Sequence, residues 1–225
     1  MTYFQGEIEN LNFGEFMSIE IELRLSCDSY DNGQKIIEAL EGEIATQRYG
    51  VDSYIDLERS KENGRLMRVR NHIVQKDGEI YPYKVIQIKT YIPFPQDSYG
   101  VECWDESEPK HINPLILGRV ESQGHSISRI ECYRRSFYVP FEEELVELNG
   151  DIIFQQSNHL FLPIAFYLEI GKVVNSRQDI PETRDFLHRF LDRKALSIMS
   201  HMGITPMYGS IYPFNPLLVS NRRQF

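Results

Sequence analysis

This chain of 225 residues lacks the raw material for a disulfide framework, a membrane-spanning helix or a basic surface. Its three cysteines, Cys27, Cys103 and Cys132, fall in no short-range motif, which points to a reducing compartment rather than a stapled secreted scaffold. The six histidines and these cysteines form no cluster with zinc-site spacing, so a structural zinc is not expected. No apolar run approaches the roughly 20 residues that cross a bilayer. The first stretch carries Glu7, Glu9 and Glu15 instead of the cationic start and apolar centre of a signal peptide, so a soluble, cytoplasmic protein is expected. Positive charge is also short: the net charge of −9 argues against bulk binding to DNA or RNA backbone, although a basic interior channel is compatible with it. The chain shows neither internal repeats nor low-complexity segments.

Strand signals are what it has. Hydrophobic content of 41% with 25% charged residues suits one soluble domain over 1–225, with 1–17 as an N-terminal extension, 93–114 as an irregular loop and 213–225 as a tail. Alternation marks strands over Ser18–Leu25, Val51–Leu57, Gly64–Val74, Tyr83–Tyr91, Ile127–Val139 and Phe161–Val174. Asn149-Gly150 predicts a hairpin between Phe141–Leu148 and Ile152–Gln156. Glu58–Asn63 reads as a polar turn. Helices are expected over Asn32–Ala45, capped by Asp28 or Asp31, and from Pro181 to Gly203. Many antiparallel strands with so few helices predict an α+β fold, a closed β-barrel of about eight strands with helices packed outside.

The most informative stretch is Ser-Ile-Glu-Ile-Glu-Leu-Arg-Leu, Ser18–Leu25. On a strand, Ile19, Ile21, Leu23 and Leu25 line one face and Glu20, Glu22 and Arg24 the other. Carboxylates two residues apart lie about 7 Å from each other, close enough to share a hard cation. Other strands phase the same way. Arg68 and Arg70 oppose Met67 and Val69, and Gln87 and Lys89 oppose Ile86 and Ile88. Arg129, Glu131, Tyr133 and Arg135 oppose Ile130 and Cys132; Glu169 and Gly171 oppose Leu168 and Ile170. Cys132 is accordingly expected on the aliphatic face, and Trp104 against the outer surface. A charged lumen with aliphatic faces turned outward to the helices satisfies the pattern. Carboxylates beside several guanidiniums suit a polyanion that arrives metal-bound, such as a chelated triphosphate.

With these residues in view, the chain resembles the CYTH or triphosphate tunnel metalloenzyme superfamily. The Glu-x-Glu-x-Lys strand appears as Glu20-Ile-Glu22-Leu-Arg24, and an Asp-x-Tyr-x-Asp-like strand as Asp52-Ser-Tyr54-Ile-Asp56. Leu66-Met-Arg68-Val-Arg70, Val85 to Lys89, Arg129-Ile-Glu131 with Arg134-Arg135, and Tyr167-Leu-Glu169-Ile-Gly171 follow in order, then Met202-Gly203-Ile204 and Ser210-Ile-Tyr212. The resemblance implies a Mg²⁺- or Mn²⁺-dependent reaction at a triphosphate. Glu20, Glu22 and Glu169 would hold the metal, and Arg24, Arg68, Arg70, Lys89, Arg129 and Arg135 would clamp the phosphates. Arg68, Arg70 and Lys89 would also stabilise the transition state, and Glu131 would orient water. The partner is then a small-molecule triphosphate or an RNA 5′ end. Hydrolysis is the expected outcome; cyclisation of ATP by an adenylyl cyclase, and a non-catalytic polyphosphate-binding or protein-interaction member, are the alternatives. Two departures stand out: arginine replaces the lysine at 24, and Gly171 stands where hydrolytic members often carry a further carboxylate.

Overall fold

The computed structural model describes residues 18–27, 29–40, 42–93, 99–113, 115–157, 160–205 and 207–208. The expected extension over 1–17, Ser210 to Tyr212 and the tail over 213–225 lie outside the described residues. The strands are β1 (Ser18–Cys27), β2 (Glu43–Ile55), β3 (Arg65–Lys76), β4 (Glu79–Tyr91), β5 (Glu102–Glu106), β6 (Lys110–His111), β7 (Ile127–Phe141), β8 (Glu144–Ser157), β9 (Leu160–Val174) and β10 (Met207–Tyr208). Around the sheet the order is β1-β5-β4-β3-β2-β7-β8-β9, and β9 pairs back onto β1. The result is the closed eight-stranded antiparallel barrel expected from the sequence. β6 attaches to β4 and β10 to β1 outside that ring.

Outward-facing aliphatics meet the helices. Ile21, Leu23 and Leu25 of β1, Leu148 of β8, and Leu168 and Ile170 of β9 pack with Ile36, Ile37 and Leu40 of α1 (Tyr30–Ala39). The same core takes Phe186, Leu187 and Phe190 of α4 (Ile180–Phe190), Leu191 of the π-helical turn Leu191–Ala195, and Met199 of α5 (Leu196–His201). Each such side chain contributes about 1.5–3 kcal/mol by leaving water; Leu23→Ala would cost about 2–5 kcal/mol by opening a cavity. A second outer cluster places Val120 of α3 (Leu115–Ser122) over Ile55, Val69 and Ile86. Among the described residues no helix is long and apolar enough to cross a membrane.

Several local expectations need correction. α1 ends at Ala39, and its cap is Ser29, whose Oγ accepts from Asn32 N at 3.2 Å. Glu58–Asn63 is not a turn but most of a short helix, α2 (Leu57–Asn63). Asn149-Gly150 lies inside continuous β8; the hairpin turns at Glu142-Glu143, both with left-handed φ (53° and 71°). Glu142 is held there by Arg189 and Arg193, at 2.9 Å each. Gly150 serves packing instead of turning, since a Cβ would stand 2.5 Å from Ile37 Cδ1 of α1. Finally, 93–114 is not simply irregular: β5 within it is a wall strand of the barrel. Its five residues are too few, and its flanks too rich in Pro, for the alternation to stand out.

Part of the barrel interior is filled by apolar side chains. Tyr54, Leu57, Leu66, Trp104, Ile130, Cys132, Ile153 and Tyr167 form a buried apolar cluster inside the ring. An eight-stranded barrel has an interior that side chains alone can fill. Trp104, expected on the surface, is 3% exposed within this cluster and stacks edge-on against Tyr91 at 5.4 Å.

Candidate active site inside the barrel

Directly paired residues on antiparallel strands share a face, so the register walks one set of side chains around the lumen. Glu22 pairs with Glu102 on β5 and with Gly171 on β9, and Gly171 pairs in turn with Glu147 on β8. Arg24 pairs with Glu169, and Glu169 with Asn149. Lys89 pairs with Glu106, Arg68 with Gln87, and Arg70 with Asp52. Sequence-distant strands thereby aim their charges at one space.

The wall built by β1, β5 and β9 is acidic. Glu20, Glu22 and Glu169 each offer an oxygen within 4.8 Å of the others. Arg24 Nη2 donates to Glu22 Oε1 at 2.7 Å and to Glu169 Oε2 at 2.8 Å. Lys89 Nζ bonds Glu20 and reaches Glu106 Oε1 at 2.7 Å. Burial, then Glu22, pushes the Glu20 carboxyl well above its ordinary value despite Lys89. Burial raises Glu102 to about 7, with Glu22 adding to the rise and Arg24 opposing it. Burial would raise Glu169 too, but Arg134 and Arg24 overcome it and hold it well below the usual carboxylate range. The donor set is all carboxylate oxygen, which suits a hard divalent cation. Glu22 Oε2 is buried and has no hydrogen-bond partner among the described residues. These residues fit the divalent metal that the resemblance implies.

The facing wall, from β2, β3 and β7, is basic. Arg48, Arg68, Arg70 and Arg134 gather around Asp52 and Asp151. Arg70 Nε lies 3.5 Å and Arg68 Nη1 3.9 Å from Asp52, and His72 Nε2 lies 2.8 Å from it. Burial opposes ionisation of Asp52, yet Arg70, His72 and Arg68 keep its carboxyl far below the ordinary range. Burial, then Arg70 and Arg134, pulls Arg48 down to about 10. Burial also lowers His72, so the ring is neutral near pH 7. Arg134 bonds Asp151 through two nitrogens and donates to Glu169 Oε1 at 2.9 Å, which joins the two walls. Asp52, His72 and Cys132 also offer ligand atoms within 4.8 Å of one another. With Arg68 and Arg70 beside Asp52, the local charge favours an anion over a cation there.

The structure brings together Glu20, Glu22, Arg24, Arg68, Arg70, Lys89 and Glu169, as the sequence pattern anticipated. It separates Arg129, Glu131 and Arg135 from them. In β7 the inward residues are Ile130, Cys132 and Arg134, paired with Asp52, Gly50 and Arg48. Arg129 is exposed and donates to Glu121 of α3 at 2.7 Å. Glu131 accepts from the Tyr49 hydroxyl on the outside. Arg135 donates to Gln34 of α1 at 3.0 Å and covers the Phe137 ring. The phase was misread because Arg134 and Arg135 are adjacent, which places one guanidinium on each face whichever register holds. Cys132 is buried as expected, but on the lumen side.

Sequence reasoning passed over Arg48, His72, Arg134, Asn149 and Asp151 as site residues, and with them Glu102 and Glu106. For the last two a signal existed: Glu102, Trp104 and Glu106 share a period of two. Asp52 was visible in its motif, while its neighbour Asp56 leaves the barrel. Asp56 takes a left-handed φ of 48° and accepts from Ser126 N at 2.9 Å.

No protein-family model matches this chain, and no curated protein matches its sequence. Solved structures do share its fold. A Pyrococcus horikoshii protein, PH1819, superposes with a TM-score of 0.55 at 15% identity, covering 89% of this chain and 99% of its own. HpAC1 of Hippeastrum, described by a dominant triphosphatase activity, gives 0.47 at 15% identity over 85% of this chain and 91% of its own. The mimivirus capping-enzyme triphosphatase gives 0.43 at 14% identity over 83% and 94%. The closed eight-stranded barrel is thus a fold shared with the Pyrococcus horikoshii protein. At such low identities the likeness concerns the fold alone.

Proposed function

We propose that the protein is a metal-dependent triphosphatase that cleaves the terminal phosphate from a triphosphate held across the barrel lumen. The observation that carries this reading is the opposition of an acidic wall (Glu20, Glu22, Glu102, Glu106, Glu169) to a basic one (Arg48, Arg68, Arg70, Arg134). A polyanion carrying its own divalent cation is the ligand that neutralises both. Glu20, Glu22 and Glu169 would hold Mg²⁺ or Mn²⁺, and when bound the ion supplies charge neutralisation at the phosphate oxygens.

Phosphoryl transfer to water passes through a loose transition state, so the protein contributes mainly positioning and charge. Arg68 and Arg70 would clamp the phosphates; Asp52 lies beside both, and a bound triphosphate would take over as their counter-ion. Arg24 and Lys89, both paired with carboxylates of the acidic wall, would turn from carboxylate to phosphate as the ligand enters. Arg134, fixed by Asp151, holds Glu169 in place. Glu131, on the outer face beside Tyr49, has no part in this reading.

The test is a panel of inorganic triphosphate, ATP, thiamine triphosphate and triphosphate-ended RNA, with Mg²⁺ or Mn²⁺. Release of inorganic phosphate without cyclic nucleotide is expected, lost on chelation. Formation of cyclic AMP from ATP would move the assignment to an adenylyl cyclase. Thermal stabilisation by tripolyphosphate with no turnover at either metal would make the barrel a binding module.

A further inference from the structure

The acidic wall has a gap in it. Gly171 of β9 lies in register between Glu22 of β1 and Glu147 of β8, so no side chain separates these two carboxylates. A Cβ at 171 would meet the Ile21 carbonyl at 3.3 Å and Glu22 Cβ at 3.7 Å, so the bare backbone there borders Glu22 directly. One oxygen near the gap is short of a partner. Glu22 Oε2 is buried and unbonded among the described residues, and Lys89 Nζ comes no nearer to it than 4.0 Å. Glu147 shares the inward face with Gly171 and Glu22, and among the described residues no cation pairs with it.

What Glu147 does have is a tether to the metal carboxylates. Asn149 Nδ2 donates to Glu147 Oε1 at 3.2 Å and to Glu169 Oε1 at 3.0 Å. The amide is fixed in that orientation by Ser136 Oγ, which donates to Asn149 Oδ1 at 2.6 Å. One amide thus spans a carboxylate of the candidate metal site and an uncompensated carboxylate beside it. Arg24, Lys89 and Arg134 already offset much of the charge on Glu20, Glu22 and Glu169. A divalent ion entering among them gains from one more negative oxygen ligand.

We propose that Glu147, reaching from β8 across the bare backbone of Gly171, is a further oxygen ligand of the cation held by Glu20, Glu22 and Glu169. The carboxylate that β9 lacks at position 171 is then supplied by the neighbouring strand, and Asn149 positions it. This inference rests on the metal-site reading given above.

The experiment is a Mn²⁺ titration of the full chain, read by quenching of Trp104, the single tryptophan and the cross-strand partner of Glu20, with calorimetry as the second readout. Glu147→Gln keeps an acceptor for Asn149 and should retain the melting temperature while weakening Mn²⁺ binding at least about tenfold, which is about 1.4 kcal/mol. Adding Gly171→Glu to that variant should recover most of the lost affinity. Glu22→Gln serves as the control for the site itself. If Glu22→Gln abolishes binding and Glu147→Gln leaves it unchanged, the assignment of Glu147 is overturned and the metal site stands. If the unmodified chain takes up no Mn²⁺, both fall together.

Discussion

The two walls of the lumen solve the same problem with opposite charge. On the β1–β5–β9 side, carboxylates crowd together and Lys89 and Arg24 stop them from repelling one another. On the β2–β3–β7 side, guanidiniums crowd together and Asp52 and Asp151 do that service. Buried charges cost several kcal/mol each unless they are paired, so each wall carries a minority of the opposite sign. The comparison teaches that the lumen folds around internal counter-ions, which the proposed metal-chelated triphosphate would replace on both walls. It also explains why Arg134 matters: it is bound to Asp151 on one side and to Glu169 on the other.

The strongest way to break the comparison is to remove one member from each wall. Glu22→Ala and Arg70→Ala should each lower phosphate release about 10²–10³-fold, the usual loss for one group that stabilises transition-state charge. They should differ in kind: the first raises the Mn²⁺ concentration needed for half-maximal rate, the second raises KM for triphosphate at saturating metal. Identical profiles would mean that the two walls do not divide the work. Next in size is Asp52→Asn, which strands Arg68 and Arg70 without their shared anion and should destabilise the fold by about 3–5 kcal/mol. Tripolyphosphate should restore more of that variant's melting temperature than of the parent's; no differential rescue would show that the basic wall is not a phosphate site.

One carboxyl on each wall should also respond at an opposite end of the pH scale. Glu102 is raised from 4.5 to about 7, so the folded chain holds that proton where the unfolded chain has released it. Stability of the metal-free protein should therefore fall as pH rises from about 4.5 through about 7, by up to about 3 kcal/mol. Asp52 is depressed, so its contribution is present above the ordinary carboxylate range and is lost as pH falls through its low folded value. Melting curves from pH 3 to pH 9 check both, and Glu102→Gln should flatten only the upper slope. The smallest effects belong to the outer face. Arg129→Ala, Glu131→Gln and Arg135→Ala should each leave turnover within about twofold, and Arg129→Ala, which breaks an exposed pair with Glu121, should cost no more than about 1 kcal/mol. A large loss of turnover in any of them would return that residue to the site.

Much of this arrangement was legible in the chain because most strands have unambiguous phase. In β1, every second residue is aliphatic, so Glu20, Glu22 and Arg24 could point only one way once the helices needed an apolar partner. Arg68, Arg70 and Lys89 followed from the same logic. β7 was illegible for a local reason: charge occurs on both faces, with Arg129 and Arg135 outside and Arg134 inside. β5 was hidden by its length, and Asn149-Gly150 misled because both residues serve the tertiary structure, one facing the lumen and the other lying under α1.

Alternation of side chains thus determined by itself that the strands would be two-faced and which of the clearly alternating charges would share a face. Pairing between strands decided the rest. Whether Arg134 or Arg135 enters the lumen, that Glu102 and Glu106 join the wall, and that Asp52 sits among guanidiniums depend on register against a neighbour far away in the chain. A single strand fixes only which residues share a face; the direction of that face is settled by what the other face buries.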